Sequence, residues 1–541
     1  VDEFDYIVVG AGSAGCVLAN RLSEDPRNRV LLLEAGGSDR RWDVKIPLAV
    51  SKLWPNPDLT WGFMSEPEPQ LGGRQLPVAR GKMLGGTSSL NGMMAIRGHA
   101  ADYDGWRDEG LAGWGWDDVL PWFKRLERHW RGESEFHGGS GPLSVEPHPA
   151  PSPLMANAMA AAASLGFPLT DDFNGARTDG FGMPDFTIRN GRRESAADAY
   201  LRPAMGRPNL EVRTGALAEK VLLRDGRAVG VAYRKGDIRH EVAARREVVL
   251  SGGSINSPQL LLLSGIGPAS ELAELGVDVV QDSPGVGGNL HDHPGAGMEF
   301  NLLDPSLAFE RELRFDRMAF SALRWWATGK GIFGAPPLAV SANVATHETS
   351  SEVDLHILLI PLAIESRVWF PGIRRNFGPR MGAMWSLNYP KSRGWLKLRS
   401  ADPREAPKIS FNLLDHPDDR VEMLRGYRTL RALLDQPALA SVTGAIRRPE
   451  RDLVTDEEVM DYVRAGAATA YHPTGTCRMG ADADSVVDGE LRVRGVGGLR
   501  VADASIFPRL PGGNTNLPVI MVAERAADFI TRGSQYGHAR R

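Results

Sequence analysis

A single histidine, His472, stands in the run "TAYHPTGTCR" with no carboxylate or second histidine beside it. An imidazole titrates near neutral pH, so His472 has the chemistry of a base, a metal ligand or a packed polar residue. Its immediate neighbours do not choose between these. The run "LHDH" at Leu290 to His293 brings two histidines and an acid together. Three ligands within four residues cannot converge on one ion from a short extended segment, so a structural loop and no metal site is expected there. His347 and His356 have no ligand spacing with each other. Cys16 and Cys477 are the only cysteines, too few for a disulfide framework or a Cys-rich zinc site, and a reducing compartment is the simplest setting.

A second constellation lies at the other end of the chain. "YIVVG" reads as a short apolar strand, "AGSAG" as a glycine turn and "CVLANRLSED" as a helix, and "RVLLLEAGG" as a second strand ending in Glu34. Gly10, Gly12 and Gly15 have G-x-G-x-x-G spacing within this βαβ unit, with Ser13 and Ala14 inside the turn. The first glycine permits the tight turn and the second lets a pyrophosphate approach the backbone. The third lets helix and strand pack closely, and the helix N-terminus adds positive potential. Glu34, followed by Ala35, is placed to accept ribose hydroxyls and to repel a 2′-phosphate, which argues for a dinucleotide other than NADP.

The elements that position these residues need more than one domain. The chain has 541 residues, with 42% hydrophobic and 24% charged residues and a net charge of −4. That is the composition of a soluble protein with no basic footprint for nucleic acid. The 61 glycines fall in clusters, as tight turns around a ligand would require. Acidic residues precede the first strand, so no signal peptide is expected. Apolar runs such as "PQLLLL" are too short to span a bilayer. The short basic tail "GHARR" reads as a solvated end. Leu210 to Val249 is expected to form a β-meander with turns at Asp225-Gly226 and Gly236-Asp237. "REVVLSGGS" and "GLRVADASIFP" each read as a strand feeding a turn, and "VDLHILLI" as a further strand. A nucleotide domain built from separated segments, with a second domain inserted, accounts for this order.

Four motifs in order, "GKMLGGTSSLNGMMAIRG", "GSINSPQLLLLSGIG", "YHPTGTCRMG" and "GLRVADASIFPRLPGGNTNLPVIMVAERAADFI", resemble those of the glucose–methanol–choline (GMC) oxidoreductases. The resemblance runs from Phe4 to about Ile530. It implies an α/β fold (α+β overall): a Rossmann-like FAD-binding domain of residues 1–160, 205–300 and 465–535, and an inserted substrate-binding domain of 160–205 and 300–465 with an antiparallel sheet flanked by helices. It also decides for FAD over NAD, which the glycine turn alone leaves open. FAD would lie along Gly10, Gly12, Ser13, Ala14, Gly15, Glu34 and Ala35. The loop of Gly85, Gly86, Thr87, Ser88, Asn91, Gly92 and Met93 would cover it, and Asp503, Ala504, Asn514 and Thr515 would meet its middle. Some members hold FAD covalently through a histidine just before the asparagine matching Asn91. That position is Leu90 here, so a non-covalent flavin is expected.

The resemblance also assigns His472. It implies a catalytic pair of His472 and Asn514, with Asn516 the neighbour that could be confused with Asn514. Hydride removal from an alcohol carbon needs a base for the hydroxyl proton, and Asn514 can donate to the developing alkoxide. The implied activity is oxidation of a primary alcohol to an aldehyde, with electrons passing to oxygen or a quinone-type acceptor. The rate should rise with pH through one ionisation as the base loses its proton. A lyase or photodecarboxylase on the same fold is the alternative. A cytoplasmic location is expected, peripheral to the inner membrane if the acceptor is a quinone. Choline would need a cation site, and no acidic or aromatic cluster between 300 and 465 clearly supplies one.

Overall fold

Tyr6 to Val9 carries no charged residue and is buried throughout, as a strand covered on both faces must be. In the computed structural model, which describes residues 2–347, 353–363, 365–374 and 376–538, this run is strand β1 (Asp2–Val9). The last residues of the basic tail, 539–541, lie outside the described residues. Helix α1 (Ser13–Leu22) returns the chain to β2 (Val30–Glu34), parallel to β1. Strands β3 (Leu210–Thr214), β4 (Ala216–Arg224), β5 (Arg227–Lys235) and β6 (Ile238–Leu250) follow much later. Helix α2 (Gly253–Leu263) comes next, then β7 (Leu499–Val501) and helix α3 (Asn516–His538). The sheet order is β3-β2-β1-β6-β5-β4, with β7 also on β6.

The meander expected from Leu210 to Val249 begins instead at Ala216. β4, β5 and β6 pair antiparallel through the turns at 225–226 and 236–237, whereas β3 pairs parallel with β2. Gly215, at φ +64, separates β3 from β4 and frees β3 to join the other edge of the sheet. β6 is long because it serves both parts. Its first half pairs with β5, and its second half runs parallel between β1 and β7. The C-terminal ends of β1 and β6 therefore open side by side where the strand order reverses, which is where open α/β sheets bind ligands.

The second sheet is antiparallel throughout, in the order Thr443–Arg448, Pro294–Leu302, Arg380–Leu387, Leu355–Ile360, Val340–Val344, Gly180–Gly182, with Ala468–Thr469 also on Pro294–Leu302. The expected boundaries at 300 and 465 fall inside and just before strands of this sheet. One face is covered by the helix Pro417–Leu434, whose Gly426 leaves room for the Trp385 ring. On the other face, cross-strand neighbours form three rows: Gly295, Ser386 and His356; Gly297, Met384 and Leu358; Glu299, Gly382 and Ile360. Among the described residues no helix is long and apolar enough to cross a membrane.

Candidate active site

All three rows face a cavity of about 1360 Å³ that reaches to the glycine turn after β1. Its lining includes Gly10, Gly12, Ser13, Ala14, Glu34 and Ala35 at one end, and Gly86, Thr87, Ser88, Asn91, Gly92 and Met93 along one side. Asp503, Ala504, Asn514, Thr515 and His472 complete it. Residues up to about 500 positions apart thus meet in one space. Of the expected site residues only Gly15 and Gly85 stand behind the wall. A Cβ on Gly15 would lie 1.8 Å from the Gly10 carbonyl oxygen, so Gly15 lets α1 pack on the turn. The Gly85 amide donates to the Ala11 carbonyl (2.8 Å) and has no free N–H for a ligand.

The glycine turn fits a dinucleotide. Gly86 lies so close to Gly12 that an added Cβ would stand 2.7 Å from the Gly12 Cα, which leaves a floor without side chains. Gly12 caps α1 with no side-chain hydrogen bond, so the first-turn amides remain available to an anion. Glu34 accepts from the Ala11 amide (2.8 Å) on one oxygen and from the Gly36 amide (2.7 Å) on the other. Each oxygen keeps a second lone pair for a ribose hydroxyl. Burial pushes the Glu34 carboxyl up to about 7. Asp503 has a mostly anchoring part: it accepts from Gly253 (2.8 Å), Ser257 (2.6 Å) and Ser505 (2.8 Å), tying the end of β7 to the start of α2.

His472 meets Asn514. The Asn514 Nδ2 lies 3.2 Å from His472 Nε2, while Asn516 turns away to accept from the Ser13 hydroxyl (2.8 Å). His472 Nδ1 and Asn514 Oδ1 have no hydrogen-bond partner within the protein. His472 is among the residues that line the cavity, and its ring lies deep in the molecule. Burial, and after it the neighbouring His293, Arg80 and His356, hold its pKa well below the ordinary imidazole range. His472 is therefore neutral, and the expected rise of rate with pH moves below the usual range.

Several residues around the pair carry no local sequence signal. Asp292 accepts the His472 main-chain N–H (3.0 Å), and burial pushes its carboxyl up to about 7. His293 presents its ring edge-on to His472, with centroids 5.3 Å apart. The two ring nitrogens of His293 lie 2.9 Å from the Leu387 carbonyl and 3.1 Å from the Gly513 carbonyl, and the ring, kept neutral by burial, donates to one of them. "LHDH", expected to be a structural loop, thus bears directly on His472. Arg80 donates to the Tyr471 carbonyl, and burial lowers its pKa to about 10. Tyr471 takes φ +63, which turns the chain so that His472 enters the cavity, and its ring lies 5.3 Å from that of Trp54. Arg193 fixes the covering loop by donating to the Asn91 carbonyl (2.6 Å) and side chain (2.8 Å). His356 bonds Ser341 (3.0 Å) and, being buried, is lowered to about 3. The two-residue period of the strand Leu355–Ile360 is the signal that would have put His356, Leu358 and Ile360 on one face.

Comparison with known proteins gives matches over most of the chain. A family described as GMC oxidoreductase matches residues 4–295, and a second part of the same description matches residues 390–523. An "Oxygen-dependent choline dehydrogenase" of Brucella ovis is 42% identical over 530 residues, covering 98% of this chain and 95% of that protein. Among solved structures, pyridoxine 4-oxidase from Mesorbium loti superposes with a TM-score of 0.87 at 31% identity, over 99% of both chains. A formate oxidase variant from Aspergillus oryzae gives a TM-score of 0.90 at 27% identity, again over 99% of both chains.

Proposed function

The chain belongs to the GMC oxidoreductase family, and we propose that it oxidises primary alcohols to aldehydes with His472 as base and Asn514 as its partner. It is an FAD-dependent oxidoreductase acting on alcohols. Bound FAD supplies the acceptor for the hydride that leaves the alcohol carbon. Gly10 to Ala14, Glu34, the loop from Gly86 to Met93, and Ala504 with Thr515 would hold it. The division into a nucleotide-binding unit and an inserted unit is part of the same proposal, supported by the two separate sheets.

The approach of Asn514 Nδ2 to His472 Nε2 carries the reading. A hydroxyl oxygen placed beside both atoms gives its proton to Nε2 and accepts from Nδ2, so one oxygen is served by an acceptor and a donor at once. A neutral His472 is ready for that proton. Asp292 on its main chain and His293 against its ring restrict its motion.

The far part of the substrate meets the three rows of the antiparallel sheet. Near His472 the row is polar, with Ser386 and His356, and beyond it Met384, Leu358 and Ile360 are apolar. Glu299, the acid of the outer row, is engaged by Arg380 (2.7 Å). A quaternary ammonium beside Trp54 and Tyr471 would stand next to the Arg80 guanidinium. An uncharged alcohol with an aromatic or alkyl body fits these walls better than choline does. The Brucella relative is described as oxygen-dependent, which makes oxygen one candidate acceptor, and a quinone-type acceptor is the other.

Anaerobic mixing with benzyl alcohol, 1-octanol and choline tests this. Bleaching of the flavin by the first two and little by choline is expected. Fastest bleaching by choline would overturn the reading of the walls, and a flavin left oxidised by every alcohol would favour a lyase. Oxygen uptake compared with dye reduction then separates the acceptors.

A further inference from the structure

The helix Phe315–Thr328 is apolar on two faces. Met318, Ala322 and Trp325 pack inward against Ile46, Leu48 and Phe333 beside the cavity. Phe320, Leu323 and Trp326 face outward and are 70%, 63% and 72% exposed. Phe315 continues this face to Phe370, at 5.9 Å between rings, and Ile373 at the tip of the next turn is 82% exposed. A soluble surface seldom gathers so many large apolar side chains without a partner.

Charge around the patch indicates the partner. Asp316 is paired with Arg314, and Glu312 with Arg311 and Arg317. Arg192, Arg324, Lys330 and Arg374 have no ion pair among the described residues. A symmetric self-contact joins a patch to itself and would gather two sets of these cations in one interface. An anionic, apolar-backed surface meets both features: headgroup phosphates face the cations, and the Phe, Leu and Trp side chains enter the acyl boundary. The cavity opens at the same place, since Trp42, Met318, Arg367 and Val368 line it and Trp42 is 78% exposed.

We propose that the outward face of the helix Phe315–Thr328, together with the turn at 370–374, docks the protein on an anionic lipid surface with the cavity mouth turned toward it. An apolar alcohol or acceptor dissolved in the lipid would then enter without crossing water. The test is flotation of the FAD-loaded protein with vesicles of phosphatidylcholine alone or with phosphatidylglycerol added. Flotation is expected with the anionic vesicles and much less with the neutral ones. It should weaken severalfold when salt shortens the screening length from about 10 Å at 0.1 M to about 3 Å at 1 M. The variant F320E/L323E/W326E should lower partition at least tenfold while keeping its FAD and its anaerobic reduction by a soluble alcohol. R324E/K330E, which leaves the apolar face alone, should lower it severalfold. Protein that stays in the soluble fraction with both vesicles overturns the proposal. So does unchanged flotation of both variants, or a dimer that the triple variant splits while no vesicle binding is seen.

Discussion

Replacing His472 by alanine removes the acceptor for the hydroxyl proton and leaves the Asn514 donor in place. Base catalysis at such a position contributes about 10²- to 10⁴-fold, and the neutral, restrained imidazole beside Asn514 places this case near the middle, about 10³-fold or about 4 kcal/mol. Asn514→Ala removes one hydrogen bond to the developing alkoxide and should slow the same step by about 10²-fold. Because Nε2 and Nδ2 lie 3.2 Å apart and act on one oxygen, the two losses should not add. The double variant should fall by about 10³- to 10⁴-fold rather than by the product of the single effects. Anaerobic stopped-flow reduction, followed at the flavin absorbance, isolates this step from whatever acceptor the enzyme uses. The wild-type rate at saturating alcohol should be flat across neutral pH, since burial keeps His472 neutral there. A His472→Ala variant that bleaches at the wild-type rate would show that the histidine is structural. Fully additive losses would show that the two side chains do not share one oxygen.

Denaturation should release the flavin into the supernatant of an acid precipitate, because Leu90 is buried and offers no atom for a covalent link; colour retained in the pellet would contradict this. Glu34→Ala should weaken FAD retention by about 10- to 100-fold, since the ribose hydroxyls lose a charged acceptor and the Ala11 and Gly36 amides lose theirs. Equal holoprotein yield from gel filtration would place the dinucleotide elsewhere. His356, lowered to about 3 by burial, stays neutral when folded but takes a proton when unfolded below about 6.5. Its stability contribution is therefore full above that pH and is lost as pH falls, by about 2 kcal/mol at pH 5. Glu34 and Asp292, both raised to about 7, change stability in the opposite sense. The histidine is isolated by comparing denaturant midpoints of wild type and His356→Leu at pH 8 and pH 5, and a constant difference would refute the assignment.

Local pattern carried the βαβ unit: an apolar run, glycines at the turn and an acid at the end of β2 are all set by neighbours in sequence. The pairing of His472 with Asn514 rather than Asn516 was implied only by the family resemblance; in the structure the Asn514 Nδ2 lies 3.2 Å from His472 Nε2. What stayed hidden depends on contacts between distant segments. Nothing around Arg193 shows that it will hold Asn91, about a hundred residues earlier, and nothing around Arg80 shows that it will face the carbonyl of Tyr471. β3 fell within the run read as a meander, and only its partner across the sheet, β2, sets it apart. "LHDH" was set aside because its residues cannot share an ion. That argument does not address their separate contacts to His472.

The tie between Ser13 and Asn516, with that between Arg21 and Glu524, spans 503 residues, and β7 takes its place on β6 just before α3. During synthesis the glycine turn therefore leaves the ribosome without the residues that fix it. At about 5 to 20 residues per second, the last of these arrive roughly 25 to 100 seconds later. The first helix has to wait with its apolar face uncovered, and the cofactor can be locked in only once the final segment has emerged. Newly made chains should pass through a cofactor-free stage in which chaperones hold that face. A truncation just before α3 would strand them there.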